Sequence, residues 1–175
     1  NITHGSNSGT NNLILDDTGK VSIAQNKLSC PGTIIQVVQC IKNDTWYETV
    51  SEGGFSSVVT GLTQSFTCSS ASNKVLITGH VFAYNAVKGS WGAGLVLTAD
   101  GSTIDDATGN ARGSRSRLHS IGQTSYLGAN IPVNYLHSPS STSAITYGVK
   151  LWNGHTSAQN MIVNYPSSDD TDNNN

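Results

Sequence analysis

The sequence predicts an all-β domain: an antiparallel β-sandwich, jelly-roll-like, preceded by an N-terminal β-hairpin arm. Three observations predict it. Charged residues make up 11% of the 175 residues and hydrophobic ones 36%, whereas ordinary globular domains carry about 25% charge. The surface positions that helices fill with Glu, Lys and Arg go here to Ser, Thr, Asn and Gly, as strands and turns require. Apolar and polar residues alternate along many short runs, and no apolar i, i+3, i+4, i+7 pattern lasts three turns. The runs recur at regular spacing with Gly, Ser, Asn and Asp between them, the pattern of sandwiches and jelly rolls. A chain of this length hides roughly 70% of its unfolded surface, enough for one real core.

Residues 1–30 read as an arm. Asn1–Asn12 is polar, with Gly5 and Gly9. Two apolar runs follow, Leu13-Ile14-Leu15 and Val21-Ser22-Ile23, separated by Asp16-Asp17-Thr18-Gly19-Lys20. An Asp/Gly turn between strand-like runs is a hairpin signal. Two strands cannot stand free, so the arm is expected to pack on the main domain or on copies of itself.

Residues 31–165 read as the sandwich. Its first strand is the β-branched run Ile34–Ile41, followed by Thr45–Val50 and, after the Gly53-Gly54 turn, Phe55–Val59. Leu62–Cys68 comes next, then a long central strand Lys74–Tyr84. Trp91–Ala99, Ser114–Gly128, Ile131–His137, Ala144–Trp152 and Asn160–Asn164 complete the set. Residues 166–175, rich in Ser, Asp and Asn, read as a polar disordered tail.

Several functions are argued against. The net charge is −2 and Arg112, Arg115 and Arg117 form the only basic cluster, too little to neutralise a nucleic-acid backbone. No run approaches the 18 apolar residues of a membrane span. The sequence opens at Asn1, without Met or a signal-peptide pattern, as a fragment, a processed product or a chain lacking its natural start would. Cys30, Cys40 and Cys68 form no CxxC or Cys–His pair, so no structural zinc is expected. They read as three reduced, mostly buried thiols, with a Cys30–Cys40 disulfide as the alternative. His4, His80, His119, His137 and His155 make no HxH or HExxH pattern and read as scattered strand and loop residues.

No catalytic residues emerge. Gly89-Ser90-Trp91-Gly92 does not satisfy a nucleophile elbow, and no serine is tied by signature to a His and an acid. Asp100, Asp105 and Asp106 share one loop, and Asp169, Asp170 and Asp172 lie in the tail. Without EF-hand spacing these read as solvated acids rather than calcium ligands. The glycines of 89–94 and 109–113 precede no helix, so they do not cradle phosphate. The expectation is a protein that is not an enzyme and takes no cofactor or metal. The positive hint is aromatic. Trp46, Tyr47 and Trp91 sit in segments with polar, glycine-rich flanks, and outward-facing rings of this kind could stack on sugars or anchor a receptor. They are the candidate ligand contacts.

Several runs carry a family resemblance. Pro31-Gly32-Thr33-Ile34-Ile35-Gln36-Val37-Val38-Gln39 is similar to the first strand of a domain in phage tail-fibre-like virion proteins, notably of marine and cyanobacterial phages. Phe55–Leu62 continues the likeness, which is strongest at Ser69-Ser70-Ala71-Ser72-Asn73-Lys74-Val75-Leu76-Ile77. Gly113–Arg117 and Ser138–Tyr147 also look like family segments, and Asn7–Leu15 resembles the repetitive part that often precedes the domain.

The resemblance covers nearly the whole chain and implies a virion structural protein, assembled in the host cytoplasm. It would be a tail or capsid-attached fibre domain that mediates assembly and host adhesion. It further implies a homotrimer, contacts with other virion proteins, and a host-surface glycan or protein as receptor. Arg112, Arg115 and Arg117 are then candidates for inter-subunit or core-closing contacts, against the simpler reading of solvated loop cations. The alternative function is a carbohydrate-binding β-sandwich module of a surface or secreted protein. Two departures stand out. Cys68 occupies a position where the family commonly has Pro. The family also adds a hydrophobic strand after the Ser/Asp-rich segment, whereas this sequence closes at Asn175, which predicts an open, pairing-competent edge.

Overall fold

The computed structural model of the chain describes residues 14–15, 18–19, 21–22, 34–86, 91–124 and 128–164. It divides into two units, residues 1–38 and 39–175. In the first, β1 (Ile14–Leu15) pairs antiparallel with β2 (Val21–Ser22). The turn between them holds Gly19 at φ +79°, the left-handed region that a residue without Cβ occupies freely. The predicted hairpin forms. The predicted tail, residues 166–175, lies outside the described residues.

The second unit is an all-β sandwich of two antiparallel sheets. One contains β3 (Trp46–Val50), β11 (Gln159–Val163), β5 (Val75–Asn85) and β9 (Ala129–His137), in that spatial order. The other runs β4 (Gln64–Thr67), β10 (Ala144–Asn153), β6 (Trp91–Ala99), with β7 (Ser102–Thr103) and β8 (Ser120–Thr124) both pairing the far side of β6. Alternation places Leu95, Leu97, Val149 and Leu151 of one sheet against Val81, Ile131, Val133, Met161 and Val163 of the other, all buried in one core. The β6–β7 connection is a tight hairpin turn with Asp100 at φ +49° and Gly101 at φ +77°, the Asp-Gly pairing suited to such turns. Asp100 also binds across to β10: its carboxylate accepts from the Thr146 N–H at 2.8 Å, and its own N–H donates to the Thr146 carbonyl at 2.8 Å.

Three expectations are corrected. Ile34–Ile41 is not a strand: it is irregular, and its apolar side chains face solvent, Ile34 at 78%, Val37 at 81% and Ile41 at 64% exposure. β-propensity marks a segment as fit for a sheet, but a strand exists only with a partner, and none of the described residues pairs with this one. Within the described part of the run Ser114–Gly128, the strand covers Ser120–Thr124, and the residues before it form a loop. Phe55–Val59 makes a partial edge, bonding β10 through Ser56 N to Leu151 O at 2.8 Å and Val59 N to Val149 O at 2.9 Å.

Both long sides of the sandwich are stapled between sheets. On one, the Glu48 carboxylate of β3 accepts from the Ser57 N–H at 2.9 Å and from its hydroxyl. On the other, the Ser120 hydroxyl donates to the Pro132 carbonyl at 2.7 Å, and the Asn134 N–H donates to His119 Nε2 at 3.3 Å. Such bonds satisfy edge groups that would otherwise template further pairing.

Candidate functional site

The residues predicted as contacts scatter. Trp46 is half-buried and packs on the core cluster. Tyr47, its neighbour on β3, points the other way and is 71% exposed. Trp91 opens β6, where its backbone pairs with Thr124; its side chain lies outside the described residues. The Tyr84–Trp91 segment begins inside the fold, since Tyr84 and Asn85 are buried in β5.

The three arginines take different roles. Arg112 is exposed. Arg117 locks the long loop before β8: its Nε donates to the Gly109 carbonyl at 2.8 Å and one Nη to the Asp105 carbonyl at 2.9 Å, with the Asp105 carboxylate 3.7 Å away. Cationic donors to carbonyls make strong loop ties. Arg115 is exposed and takes part in neither of the two ion pairs found among the described residues.

Arg115 instead borders a cleft of about 400 Å³ built around Trp152. Three segments wall it: the turn at Glu52–Gly53, the loop Ser114–Ser116 and the loop Gly154–Thr156. Position in the sheet explains the tryptophan. Along β10, Leu151 and Asn153 turn into the fold and Trp152 turns out, opposite Gly94 of β6 and beside Phe55. Its indole N–H donates to the Gly53 carbonyl at 3.0 Å, and the Ser116 hydroxyl reaches the same carbonyl at 3.5 Å. The ring rests against bare backbone: a Cβ on Gly154 would lie 2.7 Å from its Cζ3 and 2.8 Å from the Gly92 carbonyl oxygen. Below the cleft, Asn153 is fully buried and donates to the carbonyls of Val50 at 3.0 Å and Ser157 at 2.9 Å. Its Oδ1 accepts from the His155 N–H at 2.9 Å, so the wall loops are tied to the sheet beneath. His155 Nδ1 accepts from the Ser157 N–H at 3.1 Å, which puts the neutral ring's proton on Nε2.

A second polar constellation closes one end of the core. His119, Tyr135, His137 and Tyr147 form a row with ring centroids 6.4, 6.2 and 5.6 Å apart in turn. His137 Nδ1 and the Tyr147 hydroxyl are 2.9 Å apart. Burial lowers the His137 pKa, partly countered by the Asp106 charge. Burial first, then the nearby Cys68 and Asp100, pushes the Tyr147 hydroxyl up to about 12. A neutral imidazole accepting from a neutral phenol is the arrangement both shifts favour. Cys68 is a buried free thiol; Cys40 is free and exposed. Cys30 lies outside the described residues.

Sequence reasoning missed both constellations. Tyr135 and His137 continue the inward alternation of Ile131 and Val133, so two of the four row members were readable. The sequence places Trp152 only at the end of the strand run Ala144–Trp152, since its proximity to Arg115 and Glu52 depends on loops far apart in the chain. Among the described residues, no group of His, Cys, Asp and Glu could hold a metal ion. Searched against protein-family models and curated proteins, the chain gives no match to either.

Proposed function

We propose that the chain is a non-catalytic structural and adhesive domain of a phage virion fibre, tail-borne or capsid-attached, that assembles with copies of itself as a homotrimer. The β-sandwich suits a rigid module whose stability comes from packing and whose loops are free to meet a surface. One observation carries the assembly half. Ile34–Ile41 contains no charged residue, is rich in β-branched side chains, and shows them to solvent outside any sheet. An uncharged, strand-competent segment of this kind is what β-addition to a neighbouring chain uses, and burying it there removes the exposure. Closed symmetric oligomers satisfy such a segment in every copy.

The test is native mass spectrometry of the full chain beside its Val37→Lys variant. A trimer that the lysine converts to a folded monomer, with unchanged far-ultraviolet circular dichroism, supports the reading. A wild-type chain that is monomeric at every concentration overturns the assembly half.

A further inference from the structure

We infer that the Trp152 cleft is a saccharide site, specific for a neutral pyranose ring. The inference deepens the adhesive half of the function proposed above and rests on that reading for its biological meaning. Besides the His155 and Trp152 rings, the side chains that border the cleft are of three kinds. Arg115 supplies planar N–H donors, Glu52 supplies carboxylate acceptors, and Ser114, Ser116 and Thr156 supply hydroxyls that do either. A vicinal diol needs one donor and one acceptor per hydroxyl, and this lining provides both.

Arg115 and Glu52 cancel in formal charge, so the lining favours neither a phosphate nor an amine. The aromatic partner is Trp152, whose indole N–H is already committed to the Gly53 carbonyl. With its polar edge so occupied, the ring is held in place and what it offers a ligand is carbon surface, suited to the C–H face of a sugar. Its setting is rigid: Gly94 and Gly154 admit the ring, and Asn153 beneath fixes the His155 loop. The volume of about 400 Å³ lies in the range of roughly 300–1,000 Å³ usual for small-ligand sites. Two of the charged or aromatic side chains, Arg115 and Glu52, are exposed, so their replacement leaves the fold alone.

The experiment titrates the full chain with methyl pyranosides of glucose, galactose, mannose and N-acetylglucosamine, and separately with sodium phosphate. Binding is read by nuclear magnetic resonance at the Trp152 indole N–H, assigned by its loss in Trp152→Phe. The expected result is a saturable shift with at least one pyranoside. Arg115→Ala and Glu52→Gln should each weaken that binding by about tenfold, as loss of a charge-assisted hydrogen bond does. No shift with any pyranoside, a shift that both variants leave unchanged, or a response to phosphate alone overturns the proposal. Sugar binding is measured independently of subunit number. Failure here therefore leaves the trimer prediction standing, and a monomer that binds sugar refutes assembly alone.

Discussion

At the scale of single residues, the fold depends on a few polar side chains placed where apolar ones would be expected. Asn153 is fully buried yet donates to the carbonyls of Val50, at the end of β3, and of Ser157, and accepts from the His155 N–H and from Asn85. Asn153→Ala should cost about 2–4 kcal/mol, since several buried groups lose their partner together; the urea unfolding midpoint measures it. Asn85 Oδ1, buried beside it, has no partner among the protein atoms described, and an ordered water is the usual solution for such a group.

His137 makes a pH prediction. Its folded pKa lies below the ordinary imidazole value of 6.5, first because it is buried. As pH falls below that ordinary value, the unfolded chain takes up a proton that the folded chain resists. The stability from the neutral ring is therefore fully present above about pH 6.5 and lost as pH falls through the folded value. Tyr147 works at the other end: its raised pKa means stability present below about pH 10 and lost as pH rises toward 12. Urea midpoints between pH 4 and 8 should slope downward toward acid in the wild type and less so in His137→Gln. Equal slopes would show that the row does not couple to folding.

At the scale of elements, the loop between β7 and β8 carries Arg115 and is irregular over residues 108–119. Beyond its 3-10 turn (Asp105–Ala107), little backbone pairing holds it, so Arg117 supplies much of its order through the Gly109 and Asp105 carbonyls. Arg117→Ala should lower global stability by about 1–2 kcal/mol. It should also speed amide exchange across residues 108–118 more than in β5 or β10, because local opening needs only that lock released. Uniform acceleration in every strand would contradict a local role. Gly154 belongs to the same scale: a side chain there would strike the Trp152 ring and the Gly92 carbonyl. Gly154→Ala should therefore shift the Trp152 indole N–H resonance and cost about 1–3 kcal/mol; an unmoved resonance would mean that the ring does not depend on bare backbone.

At the scale of the whole molecule, the proposed assembly would link association to folding. If the Ile34–Ile41 segment is covered by a neighbouring copy only in the oligomer, the melting temperature rises with protein concentration, as mass action requires. Calorimetry over a hundredfold dilution should show that rise in the wild type and none in Val37→Lys. The sheets themselves are dominated by pairings distant in sequence: β11 inserts between β3 and β5, more than 70 residues from the latter's strand by register (Met161 with Asn85) and farther still from β3 (Val163 with Trp46). Such topologies fold slowly and leave strand edges open while they do.

What the sequence determined by itself was local. Strand identity follows from alternation and from β-branched and aromatic residues, and so β3, β5, β6, β9, β10 and β11 were legible within a residue or two. The hairpin of β1 and β2 lies in a short stretch where turn chemistry suffices. Strand order, the stapled sides, the His–Tyr row and the Trp152 cleft were decided only in three dimensions. Each joins residues far apart in the chain, such as Glu52, Arg115 and Trp152, and periodicity reports which face a side chain takes but not what stands opposite it. The run Ile34–Ile41 shows the same limit from the other side. Its residues specify a fitness for pairing, while the strand itself requires a partner's backbone, which no single segment can encode.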